Sequence, residues 1–553
     1  MVQAAHDQPV LQDPPRASNR FRTDRAFRRA LERVLGPDLL AEAGPELDEM
    51  GERACAELPT LQDRAESNPP RLVPFDAWGR RVDRIEVDPA WLELVRIGQE
   101  AGVVATAYED RFGTARRVAQ FALLHLFNPV SATADCPLSM SDGAARVLLE
   151  HDPNLAARYV PRLTARRDAW TSGQWMTEAT GGSDVSRTAT VARPDGAGGW
   201  LLSGTKWFTS ATTADIALAL ARPEGAEPGS RGLSLFLIEL RRPDGTWNGL
   251  RVRRLKDKLG TRALPTAELD LDGTAAVPVG GLGRGVAKVA AMLNVTRLHA
   301  AFGGLAQVGH GLDLARDHAR RREAFGRPIA ELPIHRAWMA RVAAEYEAML
   351  ALAFGAAELV GRAEGGADPG AADLARVAVP LTKLAVARRS VWAASELLES
   401  FGGAGYLEDT GIPRILRDAH VQTIWEGTTS VMAQDVLRAL RNEGVAEAFL
   451  AEVDDRVRAA AHPATEGPAG VVLDAVGRLR PMLAEPEEGP GRRLAWGMAR
   501  TYQAALLCEA AARALRDHAD GRTATALCLF VAEPLVEKDP GPTPEDLAAL
   551  AFP

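Results

Sequence analysis

Apolar side chains change their spacing twice along this 553-residue chain, and the two changes divide it into regions. From about residue 85 to 170 they return at helical intervals, as in "WLELVRIGQEAGVVATAYEDRFGTARRVAQFALLHLF", where Leu92, Val95, Val103, Val104, Phe121, Leu124 and Phe127 are separated by three, four or sums of these. Near residue 172 the period shortens. "GGWLLSGTKWFTS", "DIALALAR", "GLSLFLIEL", "LRVRRLK" and "AELDLDG" are short alternating or apolar runs, broken by "PDG", "PEGAEPGSRG" and "PDGTWNG". They predict an antiparallel β domain of roughly a hundred residues, a barrel or a sandwich. Helical spacing returns at about residue 286, with Leu298, Ala301, Phe302, Leu305, Val308 and Leu312 on one stripe that stops at Gly326 and Pro328. Two more long amphipathic segments follow, the second closed by Gly402 and Gly403 as a C-cap closes a helix, and then a helix from Thr428 to Leu440. Long helices joined by short connections predict a four-helix bundle.

The expected layout is therefore an N-terminal extension over 1–70, with a proline-rich lead and then a short helical stretch, an α-helical domain over 71–172, the β domain over 173–285, the bundle over 286–440 and an additional helical domain over 441–553. The fold class is mainly α with a central antiparallel β domain. No internal repeat of fixed period is present.

Composition narrows the partners. Hydrophobic residues make up 46% and charged residues 25%, a globular balance, and the formal charge of −8 recommends neither nucleic acid nor an anionic membrane surface. The region 441–553 holds 12 Lys and Arg against 18 Asp and Glu, a net of −6, which disfavours DNA binding there unless a patch such as Arg478, Arg480, Arg492, Arg493 and Arg500 concentrates the positive charge. The four cysteines, Cys55, Cys136, Cys508 and Cys528, form no CxxC pair. With no signal-like apolar core at the N-terminus and no run of about 18 apolar residues, the expectation is a cytoplasmic protein with no membrane association.

Familiar catalytic signatures are missing: no HExxH, no GxSxG, no GxxxxGK[ST] and no strand-linked GxGxxG, so no metal site is expected. What remains are glycine-rich joints between the regions, where clefts form. "QWMTEATGGSDVSRTAT" places Thr177 and Ser183 hydroxyls beside Gly181 and Gly182, which let backbone approach a flat or phosphorylated ligand. "SGTKWFTS" ends a strand with an aromatic, Phe208, and a hydroxyl, Ser210, suited to a planar heterocycle. Taken alone, each reads more simply as a polar turn or a strand filling a small core. Arg322 in "RRREAFG" complements a helix C-terminus without any ligand, and "SFGGAGY" is a cap and turn. In "IWEGTTSV", Glu426 is either a partner for the dipole of the following helix or a base aimed into a cavity.

Taken in order, these pieces resemble the acyl-CoA dehydrogenase flavoprotein family from about residue 70 to 440. Its MTE-x-x-x-G-S-D motif is met by Met176, Thr177, Glu178, Gly182, Ser183 and Asp184, and "GTKWFTS", "RREAFG", "FGGAGY" and "WEGTTS" follow in the family's order. "NPPRLVPFDAWGRRVDRIEVDPAW", "RLKDKLGTR", "IPRILRDAHVQTIWEG" and the appended helices are similar to the AidB-like, adaptive alkylation response branch, which extends the resemblance over nearly the whole chain. Arg187 and Glu399 depart from the commoner family pattern.

The resemblance implies an FAD-dependent dehydrogenase acting on the α,β bond of an acyl thioester carried by CoA or a carrier protein. It assigns Glu426 as the base. Met176, Thr177, Gly182, Ser183, Phe208, Ser210, Arg322, Phe325, Gly402, Gly403, Thr428 and Ser430 go to FAD, and Arg297, Trp425 and Gly427 to the substrate. Arg322 and Phe325 belong to the FAD of a second subunit, which implies at least a dimer and, by family habit, a homotetramer. The electron acceptor is electron-transfer flavoprotein or oxygen. The alternatives are a DNA-binding alkylation-response flavoprotein with little turnover, and a flavin oxidase or monooxygenase on the same scaffold.

Overall fold

The computed structural model describes residues 12–366, 368–537 and 550–551. Helix Arg25–Ala56 begins at Asp24, whose side chain accepts a hydrogen bond from the Phe27 N–H. It is broken at Gly36, which adopts φ 70° and ψ 177° just before Pro37, a residue with no N–H to give the helix ladder. This element is far longer than the short helical stretch the sequence suggests for the extension. A two-stranded antiparallel hairpin, Arg71–Phe75 with Arg81–Glu86, follows where no strand was expected, because four or five alternating residues beside two prolines give too little period to read.

Helices Pro89–Glu100, Arg116–Phe127, Asp135–His151 and Pro153–Leu163 form the first helical layer. Leu92 points outward, since the buried face of its helix runs through Trp91, Leu94, Val95 and Gly98. A buried polar knot ties this layer to the bundle. Asp142 accepts from Arg117, Gln120, Tyr108 and, at 2.9 Å, from His299 Nε2 of helix Gly285–Arg321. Burial alone would raise its carboxyl, but Arg117 and His299 hold it far below the usual carboxylate range.

The β domain closes on itself. Strands Ile216–Pro223, Val191–Pro194, Trp200–Ser210, Thr266–Pro278 and Ser234–Glu239 pair in that order, and the last pairs back to the first, with Ser172–Trp175 and Leu250–Leu255 added alongside. It is a barrel, as one of the two expected forms. Two of its pairings are parallel, Ser172–Trp175 and Val191–Pro194 against Ile216–Pro223, so the sheet is not wholly antiparallel. Both arise where a connection passes over the barrel instead of turning back as a hairpin. Strand Ile216–Pro223 is buried on both faces: Ala217, Ala219 and Ala221 enter the main core, while Ile216, Leu218 and Leu220 pack on Leu148, Tyr159 and Met292 of the helical domains. That double burial explains its unbroken apolar run and fixes the barrel against the first helical layer and the bundle.

The bundle consists of helices Gly285–Arg321, Pro333–Glu364, Pro369–Ser400 and the pair Ile412–Gln422 and Thr429–Leu440. Gly143 lets helix Asp135–His151 approach it, since a Cβ there would lie 2.7 Å from Met292 Cγ. Helices Val445–Ala459, Glu466–Ala484, Gly491–His518 and Arg522–Val531 pack on the bundle's other side through Tyr502, Leu506, Leu507 and Phe530. No helix among the described residues is long and apolar enough to cross a membrane.

Candidate active site

Helix Ile412–Gln422 ends just before the loop that carries Glu426, and the next helix starts at Thr428, whose hydroxyl accepts from the Val431 N–H at 3.4 Å. Thr428 therefore takes the capping role. Glu426 itself has φ 57° and Gly427 φ 108°, a left-handed excursion that costs on the order of 1–3 kcal/mol at a non-glycine residue and persists only where the surroundings hold it. A side chain at 427 would be strained by that backbone angle, and its Cβ would also displace the Met432 methyl, 2.6 Å away. The excursion turns the Glu426 carboxylate toward the barrel. There Oε2 accepts from Thr296 Oγ1 at 2.7 Å and from Gln174 Nε2 at 3.4 Å. Thr296 lies on a bundle helix and Gln174 on the first barrel strand, so three separate segments converge on one carboxylate.

Two buried cations hold the same loop from behind. Arg297 Nε donates to the Glu426 carbonyl at 3.4 Å, and Lys383 Nζ donates to the Gly427 carbonyl. Arg297, assigned above to substrate, is 7% exposed, and its Nη1 bonds Asp435 at 2.6 Å, so the structure gives it the work of holding the loop instead. Arg376 bonds the other Asp435 oxygen at 2.8 Å; burial pushes that carboxyl up, but the two guanidiniums outweigh it and hold it below its usual value. Burial pulls the Lys383 ammonium down to about 7, with Arg297 adding to the effect and Glu426 opposing it. Lys383 escaped the sequence reading, although a lone lysine inside the apolar run "VAVPLTKLAVA" is itself a sign of a buried partner.

On the barrel side, Met176 and Thr177 lead out of strand Ser172–Trp175, and the Thr177 carbonyl accepts from the Trp207 N–H at 3.0 Å, which clamps the two glycine-rich joints together. Gly182 must be glycine, because a Cβ would stand 2.9 Å from Thr177 Cγ2. The loop between them is pinned by Glu178, which accepts from the backbone N–H of Ala189 and Thr190 and forms a 2.7 Å ion pair with Lys206, a side chain with no exposure at all. Burial would raise the Glu178 carboxyl, but the Lys206 ammonium reverses this and holds it low. Phe208 is 53% exposed with Lys256 Nζ 4.6 Å from its ring, and Ser210 Oγ lies 3.1 Å from Thr266 Oγ1, which also receives Lys258 Nζ.

A third group stands apart from these two. Glu323–Ala324 pairs with Arg327–Pro328 around a tight turn in which Phe325 and Gly326 both have positive φ, and this presents Phe325 94% exposed at the tip. Arg322 at its base is also exposed. Gly402 and Gly403 open onto free space, with nothing within 4 Å of an added Cβ. Ser430 is exposed in the first turn of its helix and Trp425 is half-buried against the main core. Glu399 is exposed one turn ahead of the glycine pair. Of the five C-terminal arginines, three are engaged within the protein: Arg500 is buried in a 2.7 Å pair with Glu345, Arg480 faces Asp454 at 3.7 Å, and Arg478 bonds the Val536 carbonyl. Among the described residues no cluster of three or more His, Cys, Asp or Glu could hold a metal.

A helical layer, a closed barrel and a helix bundle converge on one carboxylate. Residues 283–441 match the acyl-CoA dehydrogenase C-terminal domain, 173–274 the acyl-CoA dehydrogenase middle domain, and 12–168 the adaptive response protein AidB N-terminal domain. Acyl-CoA dehydrogenase family member 11 of Caenorhabditis elegans is 42% identical over 77% of this chain and 71% of its own length. The putative acyl-CoA dehydrogenase AidB of Escherichia coli is 32% identical over 88% of each. The crystal structure of C. elegans ACDH-11 in complex with C11-CoA superposes with a TM-score of 0.93 at 37% identity, covering 97% of this chain and 95% of that one. The chain belongs to the acyl-CoA dehydrogenase family.

That family uses FAD. The residues here fit the group: the hydroxyls of Thr177, Ser183 and Ser430 and the guanidinium of Arg322 have no hydrogen-bond or ion-pair partner among the described residues, and the glycines at 402 and 403 leave their own backbone open. Unspent donors and bare backbone are what a phosphate-bearing planar ligand needs.

Proposed function

We propose that this chain removes two hydrogens across the α,β bond of an acyl-CoA thioester, with Glu426 as the base. The observation that carries the reading is the Glu426 carboxylate, set on a left-handed turn between two helices and held at the junction of barrel and bundle by Thr296 and Gln174. A carboxylate receiving hydrogen bonds from two directions has a fixed orientation, and a fixed base near the reacting carbon lowers the barrier by avoiding reorganisation. Arg297 and Lys383 fix the peptide that carries it, and Gly427 gives close access to the loop backbone. Trp425 screens the site from water. FAD, when bound, supplies the hydride acceptor that no side chain provides. Thr177, Ser183, Ser210 and Phe208 hold it on the barrel side, with Met176 and Gly182 shaping the cradle.

Arg322 and Phe325, together with Gly402 and Gly403, would touch the FAD of a second subunit, with Thr428 near its phosphates and Ser430 also given to the cofactor, which makes the working assembly at least a dimer and, on the family pattern, a tetramer. The C11-CoA bound to the worm ACDH-11 supports a medium-chain CoA ester as substrate. Electron-transfer flavoprotein or oxygen takes the electrons. Four cysteines, none of them paired, suit a reducing cytosol.

The test is anaerobic mixing of the FAD-loaded protein with undecanoyl-CoA. The flavin absorbance is expected to bleach, and Glu426→Gln to slow bleaching by about 10²–10⁴-fold while leaving FAD content unchanged. Equal bleaching rates in the two proteins would remove Glu426 from the role. Absence of bleaching with every thioester, together with salt-sensitive retention of duplex DNA, would return the function to the alkylation-response alternative.

A further inference from the structure

Far from Glu426, a cavity of about 380 Å³ lies where helix Arg25–Ala56, bundle helix Pro333–Glu364 and helix Gly491–His518 meet. Protein interiors pack as densely as organic crystals, and voids of this size are few. Here the cause is visible. Ala26, Ala30, Ala351, Ala510 and Ala514 face one another across the junction, and the break at Gly36 and Pro37 carries the first helix away from the other two. Leu350 and Leu507 supply an apolar floor, while Pro37, Asp517 and His518 are exposed at the mouth.

Charged side chains also line the cavity, and most of them lie against an opposite charge. Glu347 is buried against Arg522; Arg29 bonds Glu32 at 2.5 Å; Arg513 bonds Asp517 at 3.3 Å; and His518 faces Glu32 at 3.7 Å. Arg33 is different. Its side chain is 6% exposed, its Nη2 is buried with no hydrogen-bond partner, and the nearest carboxylate oxygen, on Glu358, is 3.9 Å from Nη1, too far for a hydrogen bond. A buried guanidinium donor without an acceptor is costly, and a ligand acceptor removes the cost.

We propose that this cavity binds a monocarboxylate with a medium-length alkyl tail, its head on Arg33 and its tail over the alanine floor. Its size falls in the range of small-molecule sites, a single unspent guanidinium matches a single carboxylate, and the apolar lining matches a tail rather than a polar body. The site joins the N-terminal helix and the C-terminal domain to the bundle, so occupancy ties the three together and raises the unfolding temperature by mass action. This does not rest on the dehydrogenase reading.

Calorimetric titration of the FAD-loaded protein with decanoate tests it. One site is expected, weakened about tenfold or more by Arg33→Gln, partly restored in Arg33→Lys, and closed by Ala510→Phe. Decanol should bind more weakly than decanoate in the wild type and equally in wild type and Arg33→Gln. Should Ala510→Phe not fold, Ala30→Leu fills the same floor. Decanoate affinity that is unchanged by Arg33→Gln and by the filling variant, or an absence of binding, overturns the proposal. So does affinity abolished by undecanoyl-CoA, which places decanoate in the substrate cleft.

Discussion

The two sides of the candidate site are finished to different degrees within one chain. Around Glu426 the donors have acceptors: Thr296 and Gln174 on the carboxylate, Arg297 and Lys383 on the carbonyls beside it, Asp435 behind Arg297. Around Arg322, Phe325 and the glycines at 402 and 403 the surface is bare, with an aromatic ring almost wholly exposed on a two-residue turn. The difference teaches that the fold alone fixes the carboxylate of Glu426, whereas it leaves the surface around Arg322 and Phe325 without contacts of its own; on the proposed reading, that surface would meet the cofactor of a second subunit. A large exposed aromatic beside unspent cations is a signature of an interface rather than of a solvent face.

The largest expected effect lies on the barrel side, where Glu178 pins the glycine-rich loop. Lys206→Met leaves Glu178 buried with no countercharge, and breaking a buried pair from one side costs about 3–5 kcal/mol. Chemical denaturation should show this loss, and FAD content should fall with it because the loop 179–189 loses its pin. Adding Glu178→Gln should recover most of the stability, since the uncompensated charge is gone. If Lys206→Met denatures like the wild type, the barrel side is not anchored through this pair and the contrast between the two sides weakens.

How far the sequence announced these features depends on whether a local signal existed. The exchange of helical for strand spacing near 172 and back near 286 showed the β domain and the bundle, because both bury whole faces and so impose a period. The hairpin Arg71–Phe75 with Arg81–Glu86 and the true length of helix Arg25–Ala56 did not show, the one too short for a period and the other interrupted by Gly36, Pro37 and Pro45. Glu426 was visible as a candidate, and the family resemblance favoured the base role, but the direction in which its carboxylate points depends on a backbone angle that no side-chain pattern encodes. Lys206 was nearly legible. It stands in phase with buried Leu202 on one strand, and a lysine on the inward phase requires an acid. Which acid, Glu178 from another joint, is a tertiary fact.

The bare half gives the next prediction. Arg322→Ala should weaken FAD retention by about tenfold to a hundredfold, since a hydrogen bond from a charged group contributes about 1.5–3 kcal/mol, and Phe325→Ala should weaken subunit association measured by sedimentation. Neither should change the unfolding free energy of the protomer by more than about 0.5 kcal/mol, because both side chains are exposed and touch nothing that holds the fold. An unaltered FAD affinity in Arg322→Ala would mean that the distal surface is complete without it and that the bareness has another cause.

The smallest effect should be a change in pH dependence at Lys383. Burial lowers its ammonium to about 7, well under the unfolded value near 10.5, so the unfolded chain binds the extra proton between those two values. Stability contributed through this group therefore rises as pH climbs from about 7 toward 10.5, and below about 7 the folded protein bears the full cost of a buried cation. Chemistry should feel the same ionisation. A charged Lys383 donates to the Gly427 carbonyl more strongly than a neutral one, so the loop is held less firmly once the lysine loses its proton, and flavin bleaching should slow as pH passes upward through about 7. Lys383→Met should flatten this limb of the rate profile while leaving FAD bound. A limb that survives in Lys383→Met would show that the group titrating near neutrality is elsewhere, and that the loop behind Glu426 is held by geometry alone.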